Sequence, residues 1–107
     1  MAEDSVVGAL RRYMEILPRY GIHASRVVLY GSFAGDNPHE WSDIDVVVIA
    51  PEFDKPHDMA LVEQLWIATR EADSRIEPIP CGENEWETDD GRPILEIARR
   101  EGIEIAA

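Results

Sequence analysis

The sequence predicts a single α/β (α+β) domain spanning residues 1–107, and three observations carry that prediction. Apolar residues recur at helical spacing in two segments, one near the N-terminus and one between His57 and Glu71. Two short runs rich in β-branched residues, Arg26 to Tyr30 and Asp43 to Ala50, lie between those helices. Helical and extended segments therefore alternate, as they do when helices cover a sheet. A chain of 107 residues buries roughly two thirds of its unfolded surface, enough for one core.

The elements follow in order. Ser5 or Asp4 caps a first helix whose stripe is Val6, Leu10, Met14 and Leu17, and Pro18 and Gly21 end it. Arg26 to Tyr30 is a short strand without polar alternation, as expected of a strand covered on both faces. Asp36-Asn37-Pro38 is a turn, which leaves Phe33 and Ala34 a brief helical turn at most. Asp43 to Ala50 is the central strand, stopped by Pro51. The second helix faces inward through Leu61, Val62, Leu65, Trp66 and Thr69, so Trp66 is expected in the core. Arg75 to Cys81 is a third strand; Pro78 and Pro80 each remove a ladder donor and confine it to an edge. Glu83 to Gly91 reads as an acidic loop. Pro93 opens a last helix with Ile94, Ile97 and Ala98 facing in, and Gly102 ends it.

Composition narrows the function. Hydrophobic residues make up 45% and charged residues 30%, the balance of an ordinary globular chain. No apolar run approaches the ~20 residues that span a bilayer, and Met1-Ala2-Glu3-Asp4 is acidic where a signal peptide would be basic. A cytoplasmic location is expected. Cys81 is the lone cysteine, so neither an intramolecular disulfide nor a paired-cysteine zinc site is available. His23, His39 and His57 lie far apart and show no ligand spacing. The net charge of −12 repels a phosphate backbone and argues against general nucleic-acid binding.

The chemistry lies in the carboxylates. Acid-hydrophobe-acid triplets are cheap in so acidic a chain, and chance alone gives about two. Three occur: Asp43-Ile44-Asp45, Glu52-Phe53-Asp54 and Glu85-Trp86-Glu87. The second follows Pro51 and the third lies in the acidic segment, where solvated surface is the better reading. Only Asp43 and Asp45 head a strongly apolar strand, where alternate side chains point to one face about 6.6 Å apart. Two like charges there are unfavourable without a cation, so a metal site is the reading that explains them. A structural reading would need arginine or backbone donors at both positions. Glu77, on a strand able to lie beside this one, would complete the cluster. Gly31 allows close approach of backbone to a ligand, and Ser32 offers a hydroxyl and an amide at a turn suited to phosphate. A tight strand exit would also favour small residues at that step.

Taken together, Tyr30-Gly31-Ser32, ten intervening residues, Asp43-Ile44-Asp45 and the later Ile76-Glu77-Pro78 resemble the nucleotidyltransferase superfamily that includes DNA polymerase beta and kanamycin nucleotidyltransferase. The resemblance covers most of the chain and is closest to the minimal nucleotidyltransferase (MNT) branch. It implies a polymerase beta-like nucleotidyltransferase fold, a small mixed sheet backed by helices with the active site at one sheet edge. It implies that Gly31 and Ser32 bind the triphosphate of ATP. It also implies that Asp43 and Asp45 hold Mg2+, with Glu77 completing a two-metal site and helping to activate the acceptor hydroxyl. Family members commonly carry Lys or Arg and then Gly where this chain has Gly35 and Asp36, which weakens the expected hold on the triphosphate.

Many MNT proteins resemble the antitoxin half of a two-gene system whose toxin is a helical HEPN ribonuclease. The resemblance then implies AMP transfer to a tyrosine hydroxyl of a HEPN-type toxin; the net charge of −12 and the short apolar runs point to no direct contact with nucleic acid or membrane. Two alternatives stand beside it. One is a weak or inactive module that neutralises its partner by occlusion; the other is a small-molecule nucleotidyltransferase that completes its site by dimerising.

Overall fold

A computed structural model of the chain describes residues 4–31, 43–54, 58–88 and 92–106. Helix α1 (Asp4–Ile16) is amphipathic as its spacing requires, with Val6, Leu10, Tyr13 and Met14 buried. Its last turn tightens into a 3-10 turn over Leu17–Tyr20, and Gly21, at φ 83°, closes it in the left-handed conformation. Strand β1 (Arg26–Tyr30) follows, then β2 (Ile44–Ile49), a 3-10 turn at Pro51–Asp54, helix α2 (Met59–Ala72) and β3 (Ile76–Cys81). Helices α3 (Glu83–Thr88) and α4 (Pro93–Glu101) and a short strand β4 (Ile103–Ala106) end the order.

The sheet runs β3-β2-β1-β4. Strand β2 is parallel to β3 and antiparallel to β1, which is antiparallel to β4. The long connection through α2 is what a parallel neighbour demands. Pro78 and Pro80 sit on an edge strand, where the missing N–H groups face no ladder, as expected from the sequence. Alternation divides the sheet between two cores. Val27, Leu29, Ile44, Val46 and Val48 pack with α1 and with Leu65 and Ala68 of α2. Val28, Tyr30, Val47, Ile49 and Cys81 pack with Leu95 and Ala98 of α4. Tyr13 is held across the first core by its hydroxyl, which donates to the Leu65 carbonyl at 2.6 Å.

Four expectations are corrected. Residues 83–88 form a helix, not a loop. Six residues leave most helical backbone groups without an internal partner, and distant side chains supply them. Asp54 accepts from the Asn84 amide at 2.9 Å, while the Arg99 guanidinium donates to the Glu85 and Trp86 carbonyls and lies 4.8 Å over the Trp86 ring. Trp66 is 46% exposed, because Leu65, Ala68 and Thr69 form the inner stripe of α2. In α4 Leu95 and Ala98 are buried and Ile94 packs partly buried beside them, but Ile97 is exposed. Strand β4 was not expected at all. Gly102 permits it: a Cβ there would come within 2.4 Å of both the Ala98 carbonyl oxygen and Val28 Cγ1, so only glycine lets the chain turn from α4 onto β1.

Candidate active site

The inner position of β2 determines what its acids meet. Asp45 pairs in register with Tyr30 of β1 on one side and with Glu77 of β3 on the other. Directly paired residues share a face at a strand spacing of about 4.8 Å. Glu77, Asp45 and Tyr30 therefore form a row across the sheet, on the face opposite Ile44 and Val46 and hence opposite α2. Asp43 immediately precedes β2, is exposed, and lies one alternation ahead of Asp45 on the same side. The chain thus brings Asp43, Asp45 and Glu77 to one end of one sheet face.

Gly31 closes the row from β1. Its φ is 77°, a left-handed conformation that residues with a Cβ adopt at a cost. A Cβ built there would lie 2.5 Å from Asp45 Oδ2. The glycine is thus needed twice over: for its own conformation and for the Asp45 carboxylate that occupies the space. Ser32, and the departing pair Gly35 and Asp36, lie outside the described residues.

Electrostatics single out this row. Asp45 is raised above the usual carboxylate range, first by burial and then by the Asp43 charge, with an opposing hydrogen bond to Glu77. Glu77 is raised too, by desolvation, by the charges of Asp43 and Asp45, and by hydrogen bonds to both. Besides burial, both shifts have one cause: like charges meeting at this end of the sheet. The Tyr30 hydroxyl is pushed up to about 12 by burial and by the same two acids.

Other acids of the fold are answered by cations or amides. Asp73 is held below the carboxylate range by the Arg75 side chain, whose guanidinium donates to it at 3.1 and 2.9 Å, against an opposing effect of burial. Burial pulls the Glu52 carboxyl up, but bonds from the His23 amide and ring, each at 2.9 Å, bring it below its usual range. Glu85 meets Arg92 at 2.8 Å, and Glu87 meets Arg26 at the same distance. A cavity of about 160 Å³ lies beyond the C-terminal ends of β2 and β3, lined among others by Glu52, Asp58, Glu85 and Arg92. Its acids are already engaged: Asp58 caps α2 through the Ala60 and Leu61 amides, and the others are bonded as above. That cavity is a seam of the fold, away from the Asp45 row.

The donor set at the row is made only of carboxylate oxygens, which suits a hard divalent cation. Among the described residues, no three Asp, Glu, His or Cys side chains already converge as a metal cage. An open set of this kind fits a cation that keeps water and takes substrate phosphate oxygens as further ligands. The like charges that raise Asp45 and Glu77 mark a place where a cation would be stabilising.

A family model described as a nucleotidyltransferase domain matches residues 10–100. The chain belongs to the nucleotidyltransferase domain family. Its four-stranded mixed sheet with flanking helices is consistent with the polymerase beta-like nucleotidyltransferase fold expected from the sequence. Nucleotidyl transfer is the general chemistry of this domain, in which a nucleoside triphosphate and a divalent metal are typical. No curated protein matches the chain. Among the described residues, no helix is long and apolar enough to cross a membrane.

The site contains one residue that sequence reasoning passed over. Tyr30 reads as a core residue of β1, and only the β1–β2 register places it against Asp45.

Proposed function

We propose that this nucleotidyltransferase domain transfers AMP from ATP, with Mg2+, to a tyrosine hydroxyl of a protein partner of the HEPN toxin type, and so acts as an antitoxin. The observation that carries the chemistry is the Asp43–Asp45–Glu77 constellation, in which the acids raise one another by charge. Asp43 and Asp45 would hold the magnesium, which when bound supplies positive charge at the triphosphate. Gly31 keeps the backbone beside Asp45 free of any side chain, leaving the carboxylate accessible. Glu77 would accept the proton of the attacking hydroxyl. In the transfer, the hydroxyl oxygen bonds to the α-phosphorus, the bond from that phosphorus to the bridging oxygen breaks, and pyrophosphate leaves in line.

The acceptor assignment rests on resemblance to the MNT branch and on charge. A net charge of −12 favours a basic partner over a nucleic acid. Gly35 and Asp36, in place of a basic residue and glycine, favour a second reading: a weakly active module that neutralises its partner by occlusion. Incubation with α-labelled ATP, Mg2+ and the protein encoded by the neighbouring gene separates the two. Label on a partner tyrosine supports transfer. Inhibition of the partner without label supports occlusion, and neither outcome would overturn the partner assignment.

A further inference from the structure

Among the described residues, the outer face of α2 has no partner. Trp66 is 46% and Ile67 39% exposed, while Leu65, Ala68 and Thr69 carry the helix's contact with the sheet. Glu63 and Arg70 flank them and are exposed as well. Residues 63, 66, 67 and 70 follow the spacing i, i+3, i+4, i+7, which places them in one contiguous patch. Neither Glu63 nor Arg70 makes an ion pair with a described residue. The nearby Glu71 is already taken, by the Tyr20 hydroxyl and by Arg19.

We infer that this patch docks a second copy of the chain through an antiparallel α2–α2 contact. A two-fold axis passing midway between Trp66 and Ile67 sets Glu63 of one copy against Arg70 of the partner copy, and the reverse pair forms by the same operation. Trp66 of each copy then covers Ile67 of the other. A patch for an unrelated basic protein would be expected to carry acids throughout. This one holds one acid and one base at equal distances from an apolar centre, and it is neutral in a chain whose net charge is −12. Self-association across any strongly acidic face would be opposed, so a neutral, self-complementary face is where two copies can meet. Helix α2 lies on the sheet face away from Asp45 and Glu77, so the pairing leaves both active sites open.

A contact made mainly by one 14-residue helix per copy is smaller than the ~800 Å² per partner of a standard interface. The dimer is accordingly weak, dissociating on the order of 10–100 μM. Sedimentation velocity of the full chain over that concentration range tests it, together with Glu63→Arg, Arg70→Glu and the double exchange. Each single reversal turns two attractive pairs into two repulsive ones and is expected to weaken association at least about tenfold. The double exchange restores the pairing and recovers association to within roughly threefold of the native chain. A wild-type monomer at every concentration would overturn the inference. So would single and double variants that associate alike, which would place the contact on another surface.

Discussion

Two ends of one sheet carry the same sequence pattern and put it to opposite uses. At the C-terminal ends of β2 and β3, the triplets Glu52-Phe53-Asp54 and Glu85-Trp86-Glu87 are bonded into the fold. Glu52 meets His23, Asp54 the Asn84 amide, Glu85 Arg92, and Glu87 Arg26. At the N-terminal end, Asp43-Ile44-Asp45 has Glu77 for a neighbour, and Asp45 and Glu77 are raised above the usual carboxylate range. An acid-hydrophobe-acid triplet therefore says nothing until its partners are known. Where a cation or amide answers the carboxylate, the triplet is architecture. Where only another carboxylate answers it, the fold is holding charge for something it does not itself contain.

The largest effect should come from removing charge at the unanswered end. Asp45→Asn and Glu77→Gln are each expected to lower nucleotidyl transfer by about a hundredfold or more. In metal-free buffer at neutral pH their stability should be unchanged or higher, because a repulsive charge is lost. Transfer assays paired with urea unfolding check this, and a large loss of stability in both variants would make the row structural. Next comes Gly31→Ala, which forces a left-handed alanine against Asp45 Oδ2. It should cost roughly 2 kcal/mol of stability and reduce transfer by about tenfold to a hundredfold through misplacement of the carboxylate. Equal activity to wild type would mean that Asp45 is free to move without consequence.

The answered end should respond in the opposite sense. Asp54→Ala removes the acceptor for the Asn84 amide and should cost about 1 kcal/mol with transfer unaffected, as read from thermal unfolding and the same assay. The smallest effect is in the pH profile without metal. Asp73 and Glu52, held low, contribute stability above the ordinary carboxylate range, and that stability is lost as pH falls through their folded values. Asp45 and Glu77, held high, act the other way: the folded state binds their protons more tightly, so stability declines as pH rises from the ordinary carboxylate range through their folded values. Unfolding of wild type and Glu77→Gln in chelator between about pH 3 and 8 should show the high-pH decline in wild type and a flatter profile in the variant.

Much of this was legible in the sequence, for identifiable reasons. The stripe Val6, Leu10, Met14 and Leu17 has one periodic reading, and all four residues are buried. Pro78 and Pro80 confined β3 to an edge before any pairing was known, and β3 is an edge. Asp43, Asp45 and Glu77 could be nominated because an apolar strand has no ordinary use for adjacent carboxylates. What could not be read depends on distant partners. Asp54 and Arg99 reach residues 83–88 from distant elements, and the local signal is slight: the Glu85 carboxylate accepts from the Gly82 amide at 3.3 Å. Trp66 faces out although the neighbouring positions of α2 face in, since the helical period alone left the exact centre of the stripe open by one residue. Strand β4 is four residues long, too short for alternation to be recognised, and it forms because β1 offers a free edge. Tyr30 joins the site only through register.

The central claim is that Asp43, Asp45 and Glu77 form a site for a cation and a nucleoside triphosphate. Calorimetric titration of magnesium and ATP into wild type and Asp45→Asn tests it most directly, at two buffer ionisation enthalpies so that proton release is read alongside binding. Saturable binding by wild type with net release of protons, and loss of both in Asp45→Asn, is the predicted result. Binding of equal strength to the two proteins, with no protons released, would contradict it.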